Sequence, residues 1–197
     1  GVITFSEKQM VAIQAELATD GFDFAAANDL VRPFIPAGIQ ITDVRRGSAD
    51  DAMVRAQLLA AINAGARVVS YNGHGSMNHW RGGLLSSDDA RSLTNSRSLS
   101  LFVSMTCLNG FFDDPEVDSL SESLLKAPDG GAVAVWSSTA QADPSAQSVM
   151  NQAFYRELFG SEPLTVGEAA SRARSAVTDR DVRRTWILFG DPAMRFK

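Results

Sequence analysis

Short apolar, β-branched runs alternate along this chain with segments whose apolar residues recur at helical spacing. The runs predict strands over 10–15, 39–44, 67–71, 99–105, 131–136 and 184–189. Residues 39–44 alternate apolar and polar, the pattern of a half-buried or edge strand, whereas 99–105 and 131–136 are close to continuously apolar. Between them, helical patterns span 24–31, 49–64, 87–93, 117–126, 145–159 and 165–177. Their ends carry physical punctuation. Pro33 and Pro36 stop the first helix, Asp50 and Asp51 sit in the first turn of the second, and Gly65 lies just beyond its end. Strand–helix alternation of this kind predicts an α/β fold in three layers, with a mainly parallel sheet covered by helices on both faces.

Composition narrows the classes. With 197 residues and 45% hydrophobic side chains, the chain has enough apolar material for one continuous core, and a single domain over 1–197 accounts for it. A formal charge of −5 and the lack of a dense Lys/Arg cluster argue against nucleic acid as a partner. No apolar stretch approaches the length of a membrane helix. The chain opens at Gly1-Val2-Ile3 without an initiator Met and reads as a piece of a larger protein, with the residues before Met10 outside the pattern.

Candidate chemistry gathers at two strand ends. In open parallel sheets, ligands bind beyond the carboxyl ends of the strands. His74 follows the strand ending at Tyr71, and Cys107, the chain's only cysteine, follows the strand ending at Met105. A crossover joins these strands, so they are expected side by side, about 4.8 Å apart, with thiol and imidazole facing one crevice. A thiolate can attack a carbonyl carbon while the imidazole handles the proton. Glycines flank His74, and the N–H groups of Gly75 and Cys107 are candidates for an oxyanion site. The structural alternatives are a packed cysteine at a strand end and a turn histidine satisfied by backbone. A zinc site from His74, His79 and Cys107 is disfavoured, because His79 lies in a loop and no further ligand pattern supports it. Gly73-His74-Gly75 lacks dinucleotide or phosphate-loop spacing. Asp113, Asp114, Glu116 and Asp118 form an acidic loop, read first as solvated and second as a structural calcium site. No cofactor is required by this chemistry.

The segments Tyr71-Asn72-Gly73-His74-Gly75-Ser76, Met105-Thr106-Cys107-Leu108-Asn109-Gly110, 130–139 and Ile187-Leu188-Phe189-Gly190-Asp191-Pro192, in this order, resemble the gingipain family of cysteine peptidases. The similarity runs from about Met10 to the C-terminus, and the His-Gly and strand-Cys blocks also resemble the wider group with a caspase-like fold. The resemblance implies a six-stranded, mainly parallel sheet and a His74/Cys107 dyad hydrolysing peptide bonds through a thioester acyl-enzyme. Gly75 matches the oxyanion glycine, Glu16 is the candidate to orient the histidine, and Asn72 falls among the substrate-binding positions. Relatives that cut after Arg or Lys carry an acidic residue at the base of the specificity pocket, a role open to Asp23 or Asp143. A protein or peptide substrate and a secreted or cell-surface parent are also implied. Two other readings stay open: a catalytically silent caspase-like module that binds peptides or partners, and a different thiol acyl-transfer enzyme such as a thioesterase or transpeptidase.

Overall fold

Parallel neighbours in a sheet need crossovers, and the helices of this chain supply them. The computed structural model describes residues 9–14, 22–45, 49–162 and 164–196. The strands are β1 (Gln9–Gln14), β2 (Gln40–Arg45), β3 (Val68–Asn72), β4 (Ser100–Met105), β5 (Ala132–Ser138) and β6 (Trp186–Gly190). The helices are α1 (Phe24–Asp29), α2 (Asp51–Asn63), α3 (Ser87–Arg91), α4 (Leu120–Leu125), α5 (Pro144–Leu158), α6 (Val166–Ser175) and α7 (Arg180–Thr185). All six strands join one sheet in the order β2-β1-β3-β4-β5-β6. Every pairing is parallel except β5 with β6. The expected six-stranded, mainly parallel α/β sheet is therefore what the chain forms.

Side-chain alternation divides the core into two layers. On one face, Val68, Leu101, Val103, Met105, Ala134 and Trp136 pack against residues of α5 and α6 such as Met150, Phe154, Val166 and Ala170. On the other, Val69, Tyr71, Phe102 and Val135 meet Leu58 and Ile62 of α2 and Leu120 and Leu124 of α4. The central strands β3 and β4 are buried along their whole length. That explains their near-continuous apolar sequence, while the alternating β2 lies at the sheet edge. Gly131, at φ +93, turns the chain into β5, where a Cβ would stand 2.1 Å from the carbonyl oxygen of Leu124.

Local caps set the boundaries that periodicity misses. Ser119 and Glu122 form a reciprocal capping box, so α4 starts at Leu120 and not at 117. The N-cap Asp179 accepts hydrogen bonds from the N–H groups of Asp181 and Val182 and holds 180–185 as α7. Arg184 and Thr185 are thereby helical, and the last strand begins at Trp186. α3 is fixed by a box between Ser86 and Asp89, whose carboxylate also pairs with Arg55 of α2. Burial opposes the charge on Asp89, but hydrogen bonds from Arg55 and Ser86 outweigh it and hold the carboxyl below its ordinary range.

Candidate active site

Strand register places His74 and Cys107 just beyond the carboxyl ends of neighbouring strands. β3 and β4 pair residue for residue from Val68↔Leu101 to Asn72↔Met105. His74 and Cys107 each lie two residues beyond this last pair. The ladder closes with the Gly73 N–H donating to the Met105 carbonyl at 3.2 Å. Beyond this rung the chains leave the sheet. His74 and Cys107 are both half-buried at its carboxyl end. Among the described residues, the N–H groups of Gly75 and Cys107 donate to no protein acceptor.

Each reactive group has a defined wall. The His74 ring meets the buried Phe24 ring edge-on, with centroids 5.1 Å apart. The His74 carbonyl accepts from the Tyr71 hydroxyl at 2.6 Å and from the Arg81 N–H at 2.9 Å. The Cys107 thiol points at the Ala142 carbonyl, 4.0 Å away, and the Gln147 amide donates to the same oxygen at 2.8 Å. Leu108, directly after the cysteine, takes φ +61, the left-handed region that costs a branched residue energy. Backbone strain of this kind persists only when its surroundings impose it, and it concentrates at active sites. Here the Leu108 N–H is held by the Ala140 carbonyl, and the Leu108 carbonyl accepts from the Phe111 N–H.

A buried bridge joins the histidine loop to the cysteine loop. Tyr71 stacks on Trp80, with rings 4.1 Å apart and 4° from parallel. The Trp80 indole N–H donates to Asn109 Oδ1 at 2.7 Å, and Asn109 Nδ2 donates to the Ser76 carbonyl at 2.6 Å. Trp80 and Asn109 are fully buried. Sequence reasoning did not single out Trp80 or Asn109 for this role. The available signal was an asparagine two residues after the cysteine, in a segment that is otherwise small or apolar.

The remaining candidates separate. Asn72 is 2% exposed at the last position of β3, with its Nδ2 unpartnered. Asp23 is exposed, caps α1 through the Ala26 N–H, and precedes the Phe24 that touches His74. Asp143 is exposed, caps α5 through the Ala146 N–H, and follows the Ala142 that faces the thiol. Glu16 lies outside the described residues. His79 is exposed, with Nδ1 against Ser76 and Asn78 at 2.9 Å each. Among the described residues, no group of three or more His, Cys, Asp or Glu side chains is arranged to hold a metal ion. In the acidic loop, Asp114 accepts from the N–H groups of Glu116 and Val117, and Asp118 pairs with Lys126.

Gly75 is the position where a close approach requires glycine. A Cβ there would lie 2.7 Å from Thr106 Oγ1, 3.1 Å from the His79 carbonyl oxygen and 3.3 Å from Asn109 Nδ2. Gly75→Ala is therefore expected to push the His74 loop away from the Cys107 loop. Peptide turnover should fall at least about tenfold, because small misplacements of reacting groups are costly. Steady-state kinetics on a cleaved peptide check this, and an unchanged kcat would contradict it.

A helix-covered, mainly parallel sheet of six strands, with His74 and Cys107 following neighbouring strands, is an α/β fold of caspase-like type. The chain belongs to peptidase family C25, whose family model matches residues 8–197. It is 28% identical over 159 residues to gingipain R2 of Porphyromonas gingivalis, an alignment covering 74% of this chain and 22% of that protein. Gingipain R1 of the same species matches at 28% over 159 residues, with 74% of this chain and 16% of that protein covered. The chain thus spans less than a quarter of the length of these relatives. The fold matches the crystal structure of the Arg specific cysteine proteinase gingipain R at a TM-score of 0.84 and 20% identity, over 97% of this chain and 48% of that one. It matches the complex of the pro- and mature domains of Porphyromonas gingivalis RgpB at a TM-score of 0.79 and 21% identity, over 95% and 48% of the two chains.

Proposed function

We propose that this chain carries the catalytic site of a cysteine endopeptidase, with Cys107 as nucleophile and His74 as proton carrier. The observation that supports this most is the β3–β4 register, which ends with Asn72 opposite Met105, so that His74 and Cys107 each follow two residues beyond the same rung. In the reaction, His74 takes the proton of the Cys107 thiol, the S–H bond breaks, and the sulfur forms a bond to the scissile carbonyl carbon. The carbonyl oxygen takes the electron pair and rests on the N–H groups of Gly75 and Cys107. The C–N bond then breaks, and the imidazolium of His74 protonates the departing amine. Water attacks the resulting thioester and gives its proton to His74. The C–S bond breaks, the acid product leaves and the thiol is restored. Every step uses a side chain or backbone group of this chain, so turnover requires no metal.

The specificity reading is cleavage after Arg or Lys. A basin of about 350 Å³ beside Ala142 is lined by Asp143, Asp179 and Asp181 with Gln141 and Val182. Carboxylates suit the guanidinium or ammonium group of a cationic substrate side chain. Asp23, on the His74 side of the crevice, offers a second carboxylate. Both Asp23 and Asp143 are helix caps, and Asn caps about as well as Asp. Asp23→Asn and Asp143→Asn therefore remove charge while keeping the fold. A peptide-library cleavage assay is expected to return basic residues before the cut, with no cleavage by Cys107→Ala. One of the two Asn variants should reduce the preference for Arg or Lys over a neutral residue at least about tenfold, the loss of a charge-assisted pair. A library showing no basic preference removes the specificity reading, and wild-type cleavage by Cys107→Ala removes the peptidase reading itself.

A further inference from the structure

The chain is acidic overall, at −5, yet one basin reverses that sign. Ser171, Arg174 and Ser175 stand at i, i+3 and i+4 on α6, and Arg180, Arg183 and Arg184 stand at the same spacing on α7. Residues so spaced share one helix face. Together these six line a cavity of about 470 Å³ between the two helices. Arg180, Arg183 and Arg184 are exposed, and among the described residues their guanidinium groups meet no carboxylate. Arg174 is half-buried and anchored by a hydrogen bond to the Trp186 carbonyl at 3.4 Å. Ser171 and Arg174 also line a neighbouring cavity of about 180 Å³, whose wall includes Trp136. The Trp136 indole N–H is buried and has no hydrogen-bond partner. Four guanidinium groups thus line adjoining cavities, and the ligand this chemistry suits is an anion with several acceptor oxygens.

The position of the basin narrows the ligand. β6 runs antiparallel to β5, so α7, which precedes it, sits at the end of the sheet that carries Cys107. The Thr139 N–H donates to the Thr185 carbonyl at 2.8 Å, and the Ser138 and Thr185 hydroxyls meet at 3.3 Å. The other side of α7 presents Asp179, Asp181 and Val182 to the acidic basin beside Ala142, whose carbonyl is 4.0 Å from the Cys107 sulfur. One short helix therefore separates a negative wall next to the thiol from a positive basin farther out. A helix with its side chains is about 10 Å across, which an extended peptide covers in about three residues. The forks are also spread over two helices, a layout that suits carboxylates spaced along a peptide better than one compact phosphate.

We propose that the arginine basin is an exosite that holds an acidic stretch of the protein substrate, about three to six residues from the bond cut at Cys107. The proposal rests on the peptidase reading and adds a second selection to it: positive charge at the cut and negative charge beyond it.

The test uses two matched cleavable peptides, one with a run of five Glu and one with five Gln, with the run placed on either side of the cut. Wild type is expected to show a KM about tenfold lower for a Glu peptide at low salt, the size that a few exposed ion pairs supply together, and to lose the difference in 0.5 M NaCl. R180Q/R183Q/R184Q should remove the preference while leaving kcat on the Gln peptide unchanged. Fluorescence anisotropy of the same peptides on Cys107→Ala reads binding without turnover. A Glu preference that survives the triple variant, or no preference on either side, overturns the proposal. So does binding of inorganic triphosphate with no binding of the Glu peptide, which would mark a phosphate site. If neither peptide is cleaved but the Glu peptide still binds through the three arginines, the peptidase reading fails and recognition of acidic peptides by the basin stands.

Discussion

Cys107→Ala is expected to abolish peptide turnover, lowering kcat by at least about 10⁴-fold, while the melting curve stays close to wild type. The two halves of this expectation come from different facts. The thiol is the only sulfur nucleophile in the chain, so no neighbour can replace it in forming the thioester. Its structural role is small. Cys107 is half-buried, and among the described residues its thiol makes one long contact, of 4.0 Å to the Ala142 carbonyl, so Ala leaves no buried polar atom stranded and only a small void. His74→Ala should reduce turnover by a similar order and should slow alkylation of Cys107 by iodoacetamide. His79→Ala should change neither by more than about twofold, a shift of about 0.4 kcal/mol, because His79 faces Ser76 and Asn78 and not the thiol. Steady-state kinetics, alkylation rates and thermal unfolding of the three variants check the set. Residual wild-type cleavage by Cys107→Ala, or an inert thiol in the folded protein, would remove Cys107 from the reaction.

Much of this arrangement was legible in the sequence because it depends on periodicity and chain order. Helices between apolar runs force parallel neighbours, and consecutive runs ending at Tyr71 and Met105 put His74 and Cys107 at one edge of the sheet. The alternating 39–44 announced an edge strand, and β2 is one. Other features depend on side-chain hydrogen bonds that periodicity does not carry. The strand pattern at 184–189 hid a helix turn, because the Asp179 cap competes for Arg184 and Thr185. The left-handed Leu108 could not be read from residue type, since leucine rarely adopts that conformation and only its neighbours impose it. Asn72 looked available within a glycine-rich motif, yet it is still inside the sheet and buried. Nor could either basin beside α7 be found without knowing that 180–185 is helical, because only that conformation sorts arginines and aspartates onto separate sides.

The bridge through Asn109 is expected to have the largest effect after the reactive pair. Asn109→Ala deletes both of its side-chain hydrogen bonds, stranding the Trp80 indole N–H and the Ser76 carbonyl. A stranded buried group such as the indole N–H costs about 1–3 kcal/mol, and the part-buried Ser76 carbonyl adds less, so a loss of about 1–5 kcal/mol in unfolding free energy is expected. The cost in activity has a separate origin. Ser76 follows Gly75, and Asn109 follows Leu108, so these two bonds fix the distance between the loops that carry the imidazole and the thiol. Loosening them should lower kcat by about 10²-fold, with a smaller effect on KM, because the groups that meet only in the transition state are the ones displaced. Trp80→Phe keeps an aromatic face against Tyr71 but removes the indole N–H, and it should move kcat in the same direction by less. Since both variants break the same bridge, the double variant should lose less than the sum of the two. Denaturant unfolding and kinetics at a temperature where every variant is folded separate the two effects. Full kcat in folded Asn109→Ala would mean that the bridge holds the core together without setting the catalytic geometry.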